Sequence, residues 1–362
     1  MRLKRFMNTQ LQFTMPSKPL VIFRADSSKD IGMGHITRDS DLADALHGRF
    51  GAEILFITRD TSSSLEMLRA RGFSVVSFPS DFTNTQEHRF VLEVVAVKKP
   101  ALFILDMLDA YRDLPFLASL KKHAVMLGCI ADNADFFDIL PADFVVNGNP
   151  CQLRHSYKVR DKYLLGPQYF ILAPVFLKLH NQQYTVKKKP QRVTITLGGS
   201  DHNNLIFKVL GALKDELALF DVTVVVGPAF GKDMELHDFV AREKLQVMVK
   251  RNVLLAPLLF ASDIVITAGG NTLFERLVLG VPGITINQLP MQQDISACFA
   301  ADEATINIGM GVDAVPSEIL RVFRVLASDS TLRQRMSEKG KSLVDGLGVQ
   351  RILTYLHARR CF

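Results

Sequence analysis

Residues Ile31 to Arg38 read IGMGHITR, which sets His35 among glycines at the junction of two contrasting segments. The run LVIFRAD ahead of it, Leu20 to Asp26, is apolar and strand-like, whereas ITRDSDLADAL after it spaces its apolar residues as a helix does. Gly32 and Gly34 allow the backbone to turn tightly and approach a ligand, and the free amides of the first helical turn favour an anion beside them. That helix end also disfavours an imidazolium, so His35 is expected to stay neutral and able to accept a proton. The competing reading is a helix-capping loop whose histidine merely packs.

Two glycine pairs downstream repeat the arrangement without a histidine. Arg192 to Asn204, RVTITLGGSDHNN, runs from a strand into the Gly198-Gly199-Ser200 turn and on to a helix from about Leu205. Asp263 to Pro282, DIVITAGGNTLFERLVLGVP, does the same through Gly269, Gly270, Asn271 and Thr272. Both turns offer free amides at the positive end of a helix dipole, which suits a diphosphate. Neither matches the dinucleotide fingerprint or a P-loop with its lysine. Glu275, one turn into the second helix, has two readings. It accepts from two ribose hydroxyls, or it forms a capping box with Thr272 and satisfies a helix-start amide.

The elements that must position these turns alternate strand and helix through both halves of the chain. Strands are expected near Leu20–Ala25, Ala52–Thr58, Ser74–Phe78, Leu102–Asp106, Val125–Ile130 and Phe144–Asn147, then Val193–Leu197, Val222–Val226, Gln246–Val249, Ile264–Thr267 and Gly283–Asn287. Among the helices, Thr83–Val97 is the clearest, and Pro316–Ala327, Leu332–Leu347 and Val349–Arg359 close the chain. The division is an N-terminal extension over 1–18, one α/β domain over 19–185 and a second over 190–362, with a crossing segment from Gly166-Pro167 to about Pro190. Ligands of open parallel sheets bind beyond the carboxyl ends of the strands. Two facing domains therefore bring the His35 turn opposite Gly269-Gly270. Gln288, Gln292 and Gln293 follow the strand Gly283–Asn287 and are expected at the same cleft, where their amides can read sugar hydroxyl or acetamido groups. Solvated loop glutamines are the alternative.

These residues resemble a known family. RAD followed by IGMGHITR, LLGPQYFILAPVF (Leu164 to Phe176), LGGSDHNN and ITAGGNTLFERLVLGVP are similar to the sugar-nucleotide hydrolases of pseudaminic acid biosynthesis, which remove UDP from a diacetamido-trideoxy-altrose, and to their spore-coat polysaccharide relatives. The likeness runs from about Leu20 to about Gly309; its last motif is shared with inverting glycosyltransferases of the lipid-linked peptidoglycan type. The resemblance implies an α/β fold of two Rossmann-like domains facing across a cleft, the GT-B type. The nucleotide is then held mainly by the second domain, and the last helix folds back onto the first. It implies metal-independent attack of water at the anomeric carbon near His35, no cofactor, and a sugar subsite at Gly32, Gly34, Arg38, Asp106 and the three glutamines. The family carries Asp-His-Tyr at the end of the fourth strand where this chain has Asp106, Met107 and Leu108, and its aspartate pair after the fifth strand is here Ala131 and Asp132.

Composition fits a two-domain soluble protein: 362 residues, 48% hydrophobic and 22% charged. No uninterrupted apolar run is long enough for a membrane span, and the basic N-terminus lacks the apolar core and cleavage site of a signal peptide, so a cytoplasmic protein is expected. Met15 offers an alternative start just before the first strand. Cys129, Cys151, Cys298 and Cys361 show no paired ligand spacing and point to a reducing compartment, with Cys129 a buried thiol. The nine histidines are scattered, and Asp39 and Asp41, two apart on a helix, point too far apart to share a metal. A net charge of +6 permits an anionic ligand, but no basic run interleaved with aromatics indicates nucleic acid. Lys187 to Lys189 reads as a solvated linker. The sequence assigns no oligomeric state.

Three functions follow. In a sugar-nucleotide hydrolase, His35 takes a proton from water while the diphosphate departs. An inverting glycosyltransferase would use the same donor site with a hydroxyl acceptor. A non-catalytic sugar-nucleotide-binding protein is the third, suggested by Leu108 in place of tyrosine.

Overall fold

The computed structural model describes residues 18–27, 33–107, 113–124, 126–132, 140–154, 161–251 and 253–362. Gly32, Leu108, Val125 and nearly all of the N-terminal extension, Met15 included, lie outside the described residues.

The first half forms a sheet of seven parallel strands: β1 (Leu20–Ala25), β2 (Glu53–Arg59), β3 (Ser74–Phe78), β4 (Leu102–Asp106), β5 (Met126–Ile130), β6 (Phe144–Asn147) and β7 (Tyr163–Leu165). Their order is β3-β2-β1-β4-β5-β6-β7. The second half forms six parallel strands: β8 (Arg192–Thr196), β9 (Asp221–Val226), β10 (Val247–Arg251), β11 (Ile264–Thr267), β12 (Gly283–Asn287) and β13 (Ile306–Met310), in the order β10-β9-β8-β11-β12-β13. β7 and β13 were not anticipated. Each sits at an edge, one only three residues long and the other half-buried throughout, so neither carries the fully buried apolar run of a central strand.

The central strands are apolar on both sides because helices cover both faces of each sheet. Along β1, Ile22 joins one core with Leu55, Phe103 and Leu105, while Val21 and Phe23 join the opposite core with Phe56 and Ile104. The same alternation divides Ile264 and Ile266 from Val265 on β11. Thr83 caps the helix Asn84–Lys98 in a reciprocal capping box with Gln86. The helix expected to run to Leu347 ends at Leu343, followed at Gly346 by a left-handed turn (φ 75°).

The chain crosses between domains twice. After β7, Phe170 stacks on Phe274 of the second domain with ring centroids 3.7 Å apart. The final helix, Gly348–Ala358, returns to bury Val349, Ile352 and Leu356 in the core of Val21 and Phe23. The crossings press together at Gly348, where a Cβ would stand 2.2 Å from the Phe170 carbonyl oxygen. Lys187, expected to be solvated, bonds Asp263 at 3.1 Å, and the carbonyls of Lys187 and Lys188 accept from the buried Arg333.

The cysteine reading is overturned. Cys151, in the short helix Pro150–Arg154 of the first domain, forms a disulfide with Cys298 in the helix Pro290–Ala301 of the second. A separation of 147 residues is invisible to motif spacing. The pairing removes the support that free thiols gave to a reducing compartment. Cys129 is a free, buried thiol. No helix among the described residues is long and apolar enough to cross a membrane.

Candidate functional site between the two domains

In both sheets the first strand is flanked by the second and the fourth, so the chain reverses its direction of winding between β1 and β4 and between β8 and β11. The glycine turns follow β1, β8 and β11, and Asp106 ends β4. A cavity of about 430 Å³ lies where these strand ends meet. Met33, Gly34, His35, Arg38 and Asp132 line it from the first domain; Gly198, Gly199, Gly270, Asn271, Thr272, Glu275 and Gln292 line it from the second. Asn271 Nδ2 reaches across to the Gly34 carbonyl at 3.4 Å.

His35 lies in the first turn of the helix Gly34–Phe50, which has no side-chain cap. Its Nδ1 is 2.7 Å from Asp106 Oδ1. A carboxylate only accepts, so Nδ1 carries the hydrogen and Nε2 holds the lone pair of the neutral ring. Arg38, one turn on, donates through Nε to Asp106 Oδ2 at 2.6 Å and through Nη1 to Asp132 Oδ1 at 2.8 Å. Burial disfavours the imidazolium, and Arg38 also opposes it, but the Asp106 carboxylate prevails and raises the His35 pKa above its ordinary value. The expectation of a largely neutral histidine is therefore corrected. A helix end contributes about 0.3 to 1 kcal/mol, less than a carboxylate held against the ring in a poorly hydrated setting. Despite its burial, Asp106 is kept well below the usual carboxylate range by Arg38 and His35.

The RAD segment supports this end of the sheet without entering the cavity lining. Arg24 is fully buried, bidentate with Asp26 and bonded to Glu87 at 3.1 Å. It thereby ties the end of β1 to the helix Asn84–Lys98.

The two glycine turns of the second domain differ in use. Asp201, whose carboxylate is buried, accepts from the amides of Leu205 at 2.9 Å and Ile206 at 3.0 Å. These amides are therefore not free for a phosphate, contrary to expectation. The Gly198-Gly199 backbone still faces the cavity, held against Gly227, where a Cβ would stand 2.3 Å from the Gly199 carbonyl oxygen. Ser200 is not among the lining residues. The helix Asn271–Leu279, by contrast, begins at Gly270 with no side-chain cap. Its first-turn amides and those of the His35 helix meet the same cavity, a setting that favours an anion.

Thr272 stands inside this helix rather than at its cap, so the capping-box reading of Glu275 fails. The Glu275 carboxyl hydrogen-bonds to Thr272, while its Oε2 is shielded from solvent and has no partner among the described residues. Burial pushes its pKa up to about 7. Gln288 is also corrected: its side chain turns inward, with Nε2 donating to the Leu197 carbonyl at 2.9 Å and to Asp201. It braces the glycine turn and faces no cleft. Gln292 lines the cavity and accepts from the Gln288 amide at 2.9 Å, whereas Gln293 Oε1 is buried away from the lining, without a partner among the described residues. Gly269 packs beneath the turn, where a Cβ would stand 2.3 Å from Asn287 Oδ1.

Asp132 and Asp201 escaped sequence reasoning as site components. The first was seen only as the remnant of a pair, and the second, inside LGGSDHNN, betrayed nothing of its capping role.

No model of a protein family matches the sequence. In overall structure the chain is similar to MurG from Acinetobacter baumannii (TM-score 0.67, 14% identity, 94% of this chain and 99% of that one). It is similar also to the spinosyn rhamnosyltransferase SpnG solved with thymidine diphosphate (0.63, 15%, 93% and 99%). The UDP-GlcNAc 2-epimerase of Neisseria meningitidis bound to UDP-GlcNAc is comparable (0.62, 11%, 94% and 100%). These likenesses identify the fold as GT-B. In sequence, the uncharacterized protein MJ1062 of Methanocaldococcus jannaschii is 29% identical over 279 residues, 74% of this chain and 56% of that protein. The spore coat polysaccharide biosynthesis protein SpsG of Bacillus subtilis is 30% identical over 342 residues, 92% of this chain and 96% of that protein. Identity sustained over nearly the full length of both makes this chain a member of the SpsG family.

Proposed function

We propose that the protein is a sugar-nucleotide hydrolase that releases UDP from a UDP-linked acetamido-deoxy sugar in surface-polysaccharide or nonulosonic acid biosynthesis. The observation that carries this reading is the pairing of His35 with Asp106 across one cavity from Glu275 and the uncapped Asn271 helix. Water attacks the anomeric carbon and His35 Nε2 takes its proton, with Asp106 fixing the tautomer and stabilising the imidazolium. The anomeric C–O bond breaks with its electron pair on the β-phosphate oxygen. Amides of the two helix starts offset the charge of the departing diphosphate, so no cation is required. Glu275 accepts the ribose hydroxyls, which gives its unpartnered oxygen a donor. Gln292 remains for the sugar, whereas Arg38, expected at the sugar, is spent through all three guanidinium nitrogens on Asp106 and Asp132 and holds the partner of His35 in place.

The second reading, an inverting glycosyltransferase, is favoured by likeness to MurG and SpnG; the same base would deprotonate an acceptor hydroxyl. The distinction is made by incubating the protein with a panel of UDP-sugars, with and without acceptors, and measuring UDP release. Release without acceptor is expected. Release only with acceptor would establish the transferase, and binding with no release in either case a sensor.

A further inference from the structure

Behind His35 lies a group that the reaction does not use. Asp39 follows His35 by four positions on the same helix and is fully buried, and among the described residues neither carboxyl oxygen has a hydrogen-bond donor facing it. What its carboxyl touches, at hydrogen-bonding range, is the carboxyl of Asp106. Asp106 is itself already an acceptor for His35 Nδ1 and for Arg38.

We propose that Asp39 is a carboxylic acid whose proton is donated to Asp106, which makes it the positioning residue that limits how strongly Asp106 holds the His35 imidazolium. The inference concerns the base assigned above and rests on that assignment only for its bearing on catalysis.

The charged and titratable groups around Asp39 decide where the proton lies. Arg38 is on its own helix, Asp106 ends β4, and Asp132 follows β5. With Asp39 ionised, three carboxylates would share one guanidinium beside a neutral imidazole. Two carboxyl groups in contact away from water share a proton, and it resides on the one with fewer cationic donors. Asp106 has Arg38 and His35, whereas Asp39 has no cationic donor among the described residues. Burial, then the Asp106 charge, push the Asp39 pKa well up. A hydrogen bond from a neutral acid draws charge from Asp106, and so moderates the rise that Asp106 imposes on His35. An amide could make the same donation.

The test is an NMR titration of the His35 ring in the full-length protein labelled at histidine, with the resonance identified by its loss in His35→Gln. Asp39→Asn is expected to leave the His35 midpoint within about 0.3 pH units, because a neutral donor replaces a neutral donor. Asp39→Leu, which removes the donor, should raise it by about half a unit or more. A fall of about one unit in Asp39→Asn would reveal the loss of a negative charge and overturn the proposal, as would an unmoved midpoint in Asp39→Leu. Should the leucine variant not fold, infrared difference spectra decide. Wild type at neutral pH should show the carbonyl stretch of a protonated acid that Asp39→Asn lacks, and absence of that band in wild type overturns the proposal. None of these measurements needs turnover, so a protein that fails to release UDP can still show the expected titration.

Discussion

Replacing Glu275 by glutamine is expected to weaken UDP binding by an amount that changes with pH. In the free protein Oε2 has no partner among the described residues, and burial pushes the pKa of the group up to about 7. Ribose hydroxyls donate to the ionised carboxylate, so below that pH binding must first remove a proton. Hydrogen bonds to a charged acceptor contribute about 2 kcal/mol, or about 30-fold in Kd, once the carboxylate is fully ionised. With a midpoint near 7, this advantage falls by about tenfold between about pH 8 and pH 6, leaving only a few-fold difference on the acid side. Calorimetric titration with UDP should be run on wild type and variant at each pH, since the ratio cancels the titration of the diphosphate itself. Buffers of different ionisation enthalpy should also reveal proton release on binding to wild type near pH 7 and its loss in the variant. Equal affinities in a folded variant, or a ratio that stays flat with pH, would refute the ribose assignment. A lowered melting temperature with unchanged affinity would restore a purely structural role.

His35→Asn should retain UDP while kcat falls by about 10² to 10⁴-fold, the usual contribution of a general base; near-wild-type turnover would remove it from that role. The profile of kcat/KM should decline on acidification with a midpoint above the ordinary histidine value of about 6.5, because His35 is raised and only the neutral ring accepts a proton. Asp106→Asn should move that midpoint downward, and an unshifted profile would mean that Asp106 does not govern it. Activity should persist after exhaustive chelation, since Asp106 and Asp132 are both committed to Arg38; loss restored by Mg²⁺ or Mn²⁺ would contradict this.

The strand order explains which parts of the site could be read from the chain. Central strands such as Val21–Phe23 and Ile264–Ile266 are buried on both faces and announce themselves as apolar runs, and the turns after them carry glycine signatures. What residue spacing cannot express is adjacency. Asp106 meets His35 because β1 lies beside β4, a neighbour relation set by winding, over a gap of 71 residues. The error over His35 charge came from weighing the helix end without that partner. Gln288 misled because its place after a strand end is correct while its side-chain direction is decided by Asp201 and the Leu197 carbonyl.

The covalent links between the domains gather on one margin. Cys151 joins Cys298 there, Leu153 packs on Gly166 at the start of the outgoing crossing, and Phe170 packs on Gly148 and on Gly348 of the returning one. At the opposite margin, where β3 ends the first sheet, the described residues provide no such fastening. The molecule is thus built like a book bound along its spine. A small rotation at the binding becomes a large excursion at the free edge, and a ligand touching both pages acts through the full width of the leaf. Opening the disulfide would loosen the binding rather than the pages, and its effect would be felt in the alignment of His35 with the Asn271 helix before either domain lost its fold.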